Sequence, residues 1–245
     1  MADEIKLVAL DMDGTLLTSD HEVSERTQAA IKKALANDIQ VVLSTGRWLN
    51  SCYPYAEALG LSSFLITVNG GEIWTVTKEL LERHLIDAKL MEKLYKLGQE
   101  IGMNSWMFST DDAWLGSAAP EDFTKHEWLK IGFNSTDKDK LDKIVKELSF
   151  YEELELTNSL PTNVEVNPIG VNKANALRKV CDRIGISMNN VMAVGDSLND
   201  IKMIQQAGVG VAMGNAQDAI KKVADFVTDT NNADGVAKAI ERFVL

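Results

Sequence analysis

The sequence predicts a doubly wound, Rossmann-like α/β fold with a smaller α+β unit inserted into it, on three observations. Short apolar runs without alternation recur between helix-period stretches near both ends of the chain, as parallel strands buried on both faces do. The middle of the chain changes to alternating runs separated by two amphipathic stretches. The polar motifs begin where the apolar runs stop, at the edge where open α/β sheets bind ligands.

In order, Ile5 to Leu10 is the first strand and ends abruptly at Asp11. Ser24 is a suitable N-cap for a helix in which Thr27, Ala30, Ile31, Ala34 and Leu35 recur at helical spacing. Ile39 to Ser44 is a second strand running into Thr45-Gly46-Arg47, a short helix ends near Gly60, and Phe64 to Val68 is a third strand. The alternation returns with the stripe Leu177, Val180, Cys181 and Ile184, stopped by Gly185 and followed by the strand Val191 to Val194. The core is therefore expected in two pieces, residues 1–81 and 170–245, around an insert at 82–169. Within the insert, Asn104 to Phe108, Leu129 to Asn134 and Asn163 to Val166 read as strands of a mainly antiparallel sheet, with helices Asp87 to Ile101 and Asp137 to Leu148 on one face.

Composition narrows the function. Hydrophobic residues at 45% and charged residues at 25% suit a globular chain folded throughout. A net charge of -11, without clustered Lys and Arg, argues against nucleic acid. It would also repel an anionic metabolite unless a cation and a local lysine reverse the field in the site. Asp3 and Glu4 stand where a secretory signal needs cations, and no run reaches the ~18 apolar residues of a membrane span, so the expected location is the cytoplasm. No obligate protein partner is evident. Cys52 and Cys181 lack disulfide or metal-site spacing and read as buried thiols.

The chemistry begins at Asp11-Met12-Asp13-Gly14-Thr15, where two carboxylates follow a buried strand; a polar turn with Gly14 at positive φ is the bland reading. Ser44-Thr45-Gly46-Arg47 ends the second strand, Lys173 starts a helix, and Gly195-Asp196-Ser197-Leu198-Asn199-Asp200 follows the strand Val191 to Val194. In this order and context the segments resemble the four motifs of the haloacid dehalogenase superfamily, DxDxT first and GDxxND last. The insert between the second and third motifs resembles that of Cof-type phosphatases, subclass IIB, with a type C2B cap. Two details depart from the usual wording: Trp48 follows Arg47 where proline is frequent, and Gly71 stands where an Asn-Gly-Ala turn is usual.

The residue types suit phosphate-ester chemistry in their own right. A carboxylate can attack phosphorus and split one displacement into two, and Asp11 is placed for it. A second carboxyl can give a proton to the leaving alkoxide and later take one from water, and Asp13 fits. Clustered carboxylates repel phosphate unless a hard cation such as Mg²⁺ neutralises them. The resemblance implies that Asp11, the carbonyl of Asp13 and Asp196 hold this ion, that Asp200 orients a bound water, and that Asn199 contacts phosphate. Thr45, Gly46 and Lys173, with the amide of Met12, supply donors for phosphoryl oxygens. Arg47 is either a substrate contact or half of a structural ion pair.

Other features read as structure. Gly208, Gly210 and Gly214 have GxGxxxG spacing inside a strand-like run, Asn69-Gly70 reads as a turn, and His21, His84 and His126 are scattered. Trp106, Trp114 and Trp128 read as core of the insert. The expected activity is dephosphorylation of small metabolites, sugar phosphates first, through an aspartyl phosphate. A phosphomutase using the same intermediate is the alternative, and a non-enzymatic phospho-Asp switch is more remote.

Overall fold

A computed structural model describes residues 4–116 and 118–245. The chain divides into two compact units, Met1–Glu82 with Asn172–Leu245, and Arg83–Val171. The first opens with β1 (Leu7–Leu10), buried throughout, and α1 (Glu25–Ala36), whose N-cap Ser24 accepts the amide of Thr27. Next come β2 (Gln40–Ser44), α2 (Leu49–Ala58), β3 (Phe64–Thr67), β4 (Glu72–Thr75) and β5 (Leu80–Arg83). The second unit is built of α3 (Ala88–Ile101), β6 (Asn104–Ser109), β7 (Ala113–Leu115), β8 (Trp128–Asn134), α4 (Lys138–Leu148), β9 (Leu154–Thr157) and β10 (Asn163–Pro168). The chain then returns through α5 (Lys173–Ile184), β11 (Val191–Gly195), α6 (Ile201–Gln206), β12 (Val209–Ala212), α7 (Asp218–Lys221), β13 (Phe226–Val227) and α8 (Gly235–Phe243).

The core sheet has the order β13-β12-β11-β1-β2-β3-β4-β5 and is parallel from β13 to β3. Its strands are apolar on successive residues because both faces are covered. Val8 and Leu10 pack with residues of α1, α2 and α8, whereas Leu7 and Ala9 pack with residues of α5. Each such leucine or valine contributes about 1.5–3 kcal/mol by leaving water. The glycine-spaced run is strand β12 within this sheet, and Cys52 and Cys181 are free and buried.

The second unit holds an antiparallel sheet in the order β7-β6-β8-β10-β9. Met107, Ile131, Phe133, Val164 and Val166 join Met91 and Leu94 of α3 and Ile144 and Leu148 of α4 in one core. Trp128 is part of that core and Trp114 packs against it. Trp106 departs from the expectation, because period-two alternation along β6 gives the helix-facing position to Met107. Its ring lies over Gly132 on the opposite face, where a Cβ would come within 2.1 Å of it. Among the described residues, no helix is long and apolar enough to cross a membrane.

Candidate active site

Parallel pairing of β1 with β2 and β11 aligns Leu10 with Leu43 and Val194, so the residues just beyond these strands meet at one sheet edge. Asp11 follows β1, Thr45 follows β2 and Asp196 follows β11. Lys173 is the first residue of α5, whose N-cap Asn172 accepts the amide of Asn175. From there the Lys173 ammonium, fully buried, donates to Asp11 Oδ1 at 2.6 Å and to Asp200 Oδ1 at 2.7 Å. The other oxygen of Asp200 accepts the amides of Asp196 and Ser197 at 3.0 and 3.1 Å, which fixes the bend after β11. Asp196 accepts hydroxyls from Thr15 at 3.1 Å and Ser197 at 2.9 Å. Gly14, at φ +79, allows the bend after β1 to approach it: a Cβ there would stand 2.7 Å from Asp196 Oδ2.

Asp11, Asp196 and Asp200 offer carboxylate oxygens within 4.8 Å of one another, around a single ammonium. Burial raises the Asp11 pKa well above the carboxylate range; Lys173 opposes this, while Asp200 and Asp196 add to it. Asp196 is pushed up to about 6, by burial first and then by Asp200. Burial alone would lower Lys173, but its two carboxylates outweigh burial and the net shift is upward. The cluster thus carries surplus negative charge. Its donors are hard oxygens, the set that Mg²⁺ prefers, so the residues fit that ion. Asp200, with one oxygen on Lys173 and the other on two backbone amides, is less free to ligate than Asp11, whose Oδ1 alone is engaged by a side chain.

Asp13 points elsewhere. Its half-exposed carboxylate receives a bidentate grip from Arg47, Nε to Oδ2 at 2.8 Å and Nη2 to Oδ1 at 2.6 Å. Arg47 therefore takes the ion-pair reading. Thr45 is buried, and its Oγ1 accepts the amide of Arg47 at 3.1 Å. Gly46 follows it at the same edge, and the carbonyl of Met12 accepts the amides of Thr15 and Leu17. Asn199 donates to Asn69 Oδ1 at 3.2 Å, while its own Oδ1 is buried without a partner. Sequence reasoning weighed an approach of Asn69 to this edge against a turn and preferred the turn, and it missed Tyr55 and His21 as neighbours of the motif residues. Only Asn69 carried a signal, its turn-forming Asn-Gly pair, and it adopts φ 57 there. A cavity of about 640 Å³ lined by Lys6, Ile39, Gln40, Phe64 and Val76 opens at the other end of these strands and includes none of the predicted site residues.

A parallel α/β core with this carboxylate edge defines the class of protein, and comparison with known proteins gives the family. The haloacid dehalogenase-like hydrolase model matches residues 8–130 and 117–240. The chain is 51% identical over 242 residues to the 5-amino-6-(5-phospho-D-ribitylamino)uracil phosphatase YcsE of Bacillus subtilis (strain 168), covering 99% of this chain and 97% of that one. It is 30% identical over 247 residues to a phosphoglycolate phosphatase of Methanobrevibacter smithii, covering 98% and 99%. The solved structure of a haloacid dehalogenase-like hydrolase from B. subtilis superposes with a TM-score of 0.90 at 29% identity, covering 97% of this chain and 99% of that one. The chain belongs to the haloacid dehalogenase-like hydrolases, and within them it is a phosphatase.

Proposed function

We propose that the chain is a Mg²⁺-dependent phosphomonoesterase of small phosphorylated metabolites that carries the phosphoryl group on Asp11. The observation that supports this most is the buried trio of carboxylates around one ammonium at the sheet edge. In this reading the Asp11 carboxylate attacks phosphorus, the bond to the leaving oxygen breaks, and an acyl phosphate forms. Asp13 gives a proton to the departing alkoxide and takes one from the water that then attacks the acyl phosphate. Two Lys173 donors are engaged by Asp11 and Asp200, and its third serves the phosphoryl oxygens together with Thr45, the amides of Met12 and Gly46, and Asn199. Asp11, the carbonyl of Asp13 and Asp196 would hold a Mg²⁺ ion, whose charge would let a phosphate dianion approach these carboxylates. Asp200 braces Lys173 and the 196–197 amides. The insert, residues 82–169, is assigned the selection of the leaving group.

The 51% identical relative directs the choice of first substrate to 5-amino-6-(5-phospho-D-ribitylamino)uracil, a phosphorylated polyol on a heterocycle. Sugar phosphates form the wider class. Phosphate release is measured with and without Mg²⁺ over a panel led by that compound and including hexose phosphates and phosphoglycolate. Mg²⁺-dependent release, fastest on a polyol or sugar phosphate, is the expected result. No release from any member would sink the reading.

A further inference from the structure

Asp13 and its surroundings differ in kind from the buried cluster. The carboxylate is 51% exposed and has two free torsions, so nothing in its own packing fixes where its oxygens lie. The guanidinium of Arg47 does fix them, through a planar two-bond fork to both oxygens. Arg47 is held in turn: Nη1 donates to the carbonyl of Ser51 at 3.4 Å, and its plane stands 5.6 Å from the centre of the Tyr55 ring. Tyr55 is anchored by its hydroxyl, which donates to the carbonyl of His21 at 3.0 Å. His21 itself, at φ 59, brings Nδ1 to 4.0 Å from Asp13 Oδ1. Asp13, Arg47, Tyr55 and His21 therefore close a ring of contacts around one carboxylate.

We infer that Arg47, backed by Tyr55, is the positioning residue for the Asp13 carboxylate, and that this pair governs how readily a poor leaving group departs. The inference rests on the reading that Asp13 moves protons. An exposed ion pair by itself contributes little, but a two-bond fork held from behind by Ser51 and Tyr55 fixes direction, which proton transfer needs. Asp13 and Ser51 take three of the five Arg47 N–H donors, so the orientation of the guanidinium is set by this carboxylate and a carbonyl of the chain itself.

The test compares an alkyl phosphate with p-nitrophenyl phosphate, whose leaving group needs little protonation. Arg47→Lys keeps the charge but loses the fork. It should lower kcat on the alkyl ester on the order of 10- to 100-fold, with KM little changed, and lower kcat on the aryl ester only a few-fold. Tyr55→Ala should repeat this pattern more weakly, and Tyr55→Phe, which keeps the ring but loses the hydroxyl that anchors it, should fall between Tyr55→Ala and wild type. Equal losses on both esters, or a loss confined to KM, would overturn the inference and make Arg47 a substrate ligand. A second readout is independent of turnover. The Arg47 Nε–H resonance should be sharp and protected in the wild type and broadened in Tyr55→Ala and Asp13→Asn; a resonance indifferent to both substitutions would also overturn the inference. Failure of the underlying reading looks different, since Asp13→Asn would then lose as much on the aryl ester as on the alkyl ester, while the resonance test still decides the placement.

Discussion

Lys173 and Lys130 are both buried lysines paired with carboxylates, and they differ in how the surrounding charges add up. Lys130, in the second unit, meets Glu165 at 2.5 Å, and Glu165 also accepts from Ser159 at 2.6 Å and Asn163 at 3.4 Å. The Lys130 ammonium stands 5.0 Å from the Trp106 ring. There one cation faces one anion, and two neutral donors reach the same carboxylate. Around Lys173, one ammonium serves two carboxylates while a third stands within the same 4.8 Å cluster. A balanced buried pair can be exchanged for apolar residues with little loss, whereas a cluster with surplus carboxylates leaves buried charge uncompensated. In this account a cation and a phosphate complete the cluster.

The largest expected effect follows from removing each lysine. Lys173→Met should lower turnover on the order of 10³-fold, since it deletes a preorganised phosphoryl donor and leaves two carboxylates without their counter-charge. Lys130→Met should cost roughly 3–5 kcal/mol of stability and leave kcat of the folded protein within a few-fold of wild type. Denaturant unfolding and kcat measured on the same preparations check both; a kcat loss in Lys130→Met as large as in Lys173→Met would erase the distinction.

The double variants sharpen the comparison. Lys130→Met with Glu165→Leu should recover most of the stability lost in the single variant, because an apolar pair then replaces a balanced ionic one. Lys173→Met with Asp200→Leu should recover no activity. A double variant at 130 and 165 less stable than Lys130→Met alone would show that the second network does more than balance its own charge.

A smaller effect appears in pH. Asp196 titrates at about 6 in the folded chain against an ordinary 3.8, so protonation there favours the folded state. That contribution is complete below about pH 4 and is lost as pH rises through about 6. The ion-free protein is therefore destabilised at this site on approaching neutrality, and a bound cation offsets the loss. The rise in Tm on adding Mg²⁺ should be largest near pH 7 and shrink as pH falls through 6, where protons compete for Asp196. Asp196→Ala should abolish most of the shift, and an undiminished shift would move the metal site elsewhere. The smallest effect is that of Ser197→Ala, which removes a hydroxyl holding the Asp196 pKa down. It should move the midpoint of the Mg²⁺-dependent shift upward and cost about 1 kcal/mol of stability.

The carboxylate edge is legible in the sequence because parallel strands bring their ends together: Asp11 and Asp196 need only follow β1 and β11 to become neighbours. The antiparallel sheet of the insert is legible for a similar reason, since its apolar residues alternate. What surrounds Asp13 is not legible. Tyr55 lies on α2 with nothing in its spacing to set it apart, and it matters only because that helix returns it to Arg47. Lys130 and Glu165 lie 35 positions apart, and only antiparallel pairing of β8 with β10 brings their strands side by side. Trp106 was misplaced for the opposite reason, in that its size suggested core while its parity along β6 put it on the other face.

The central claim is that Asp11 carries the phosphoryl group while Asp13 only moves protons. Rapid quench with an aryl phosphate, followed by peptide mass spectrometry, tests it most directly. The wild type should show phosphate on Asp11, Asp11→Asn should show neither labelling nor turnover, and Asp13→Asn should label Asp11 and release phosphate slowly. Phosphate on Asp13, or a normal burst in Asp11→Asn, would contradict the account.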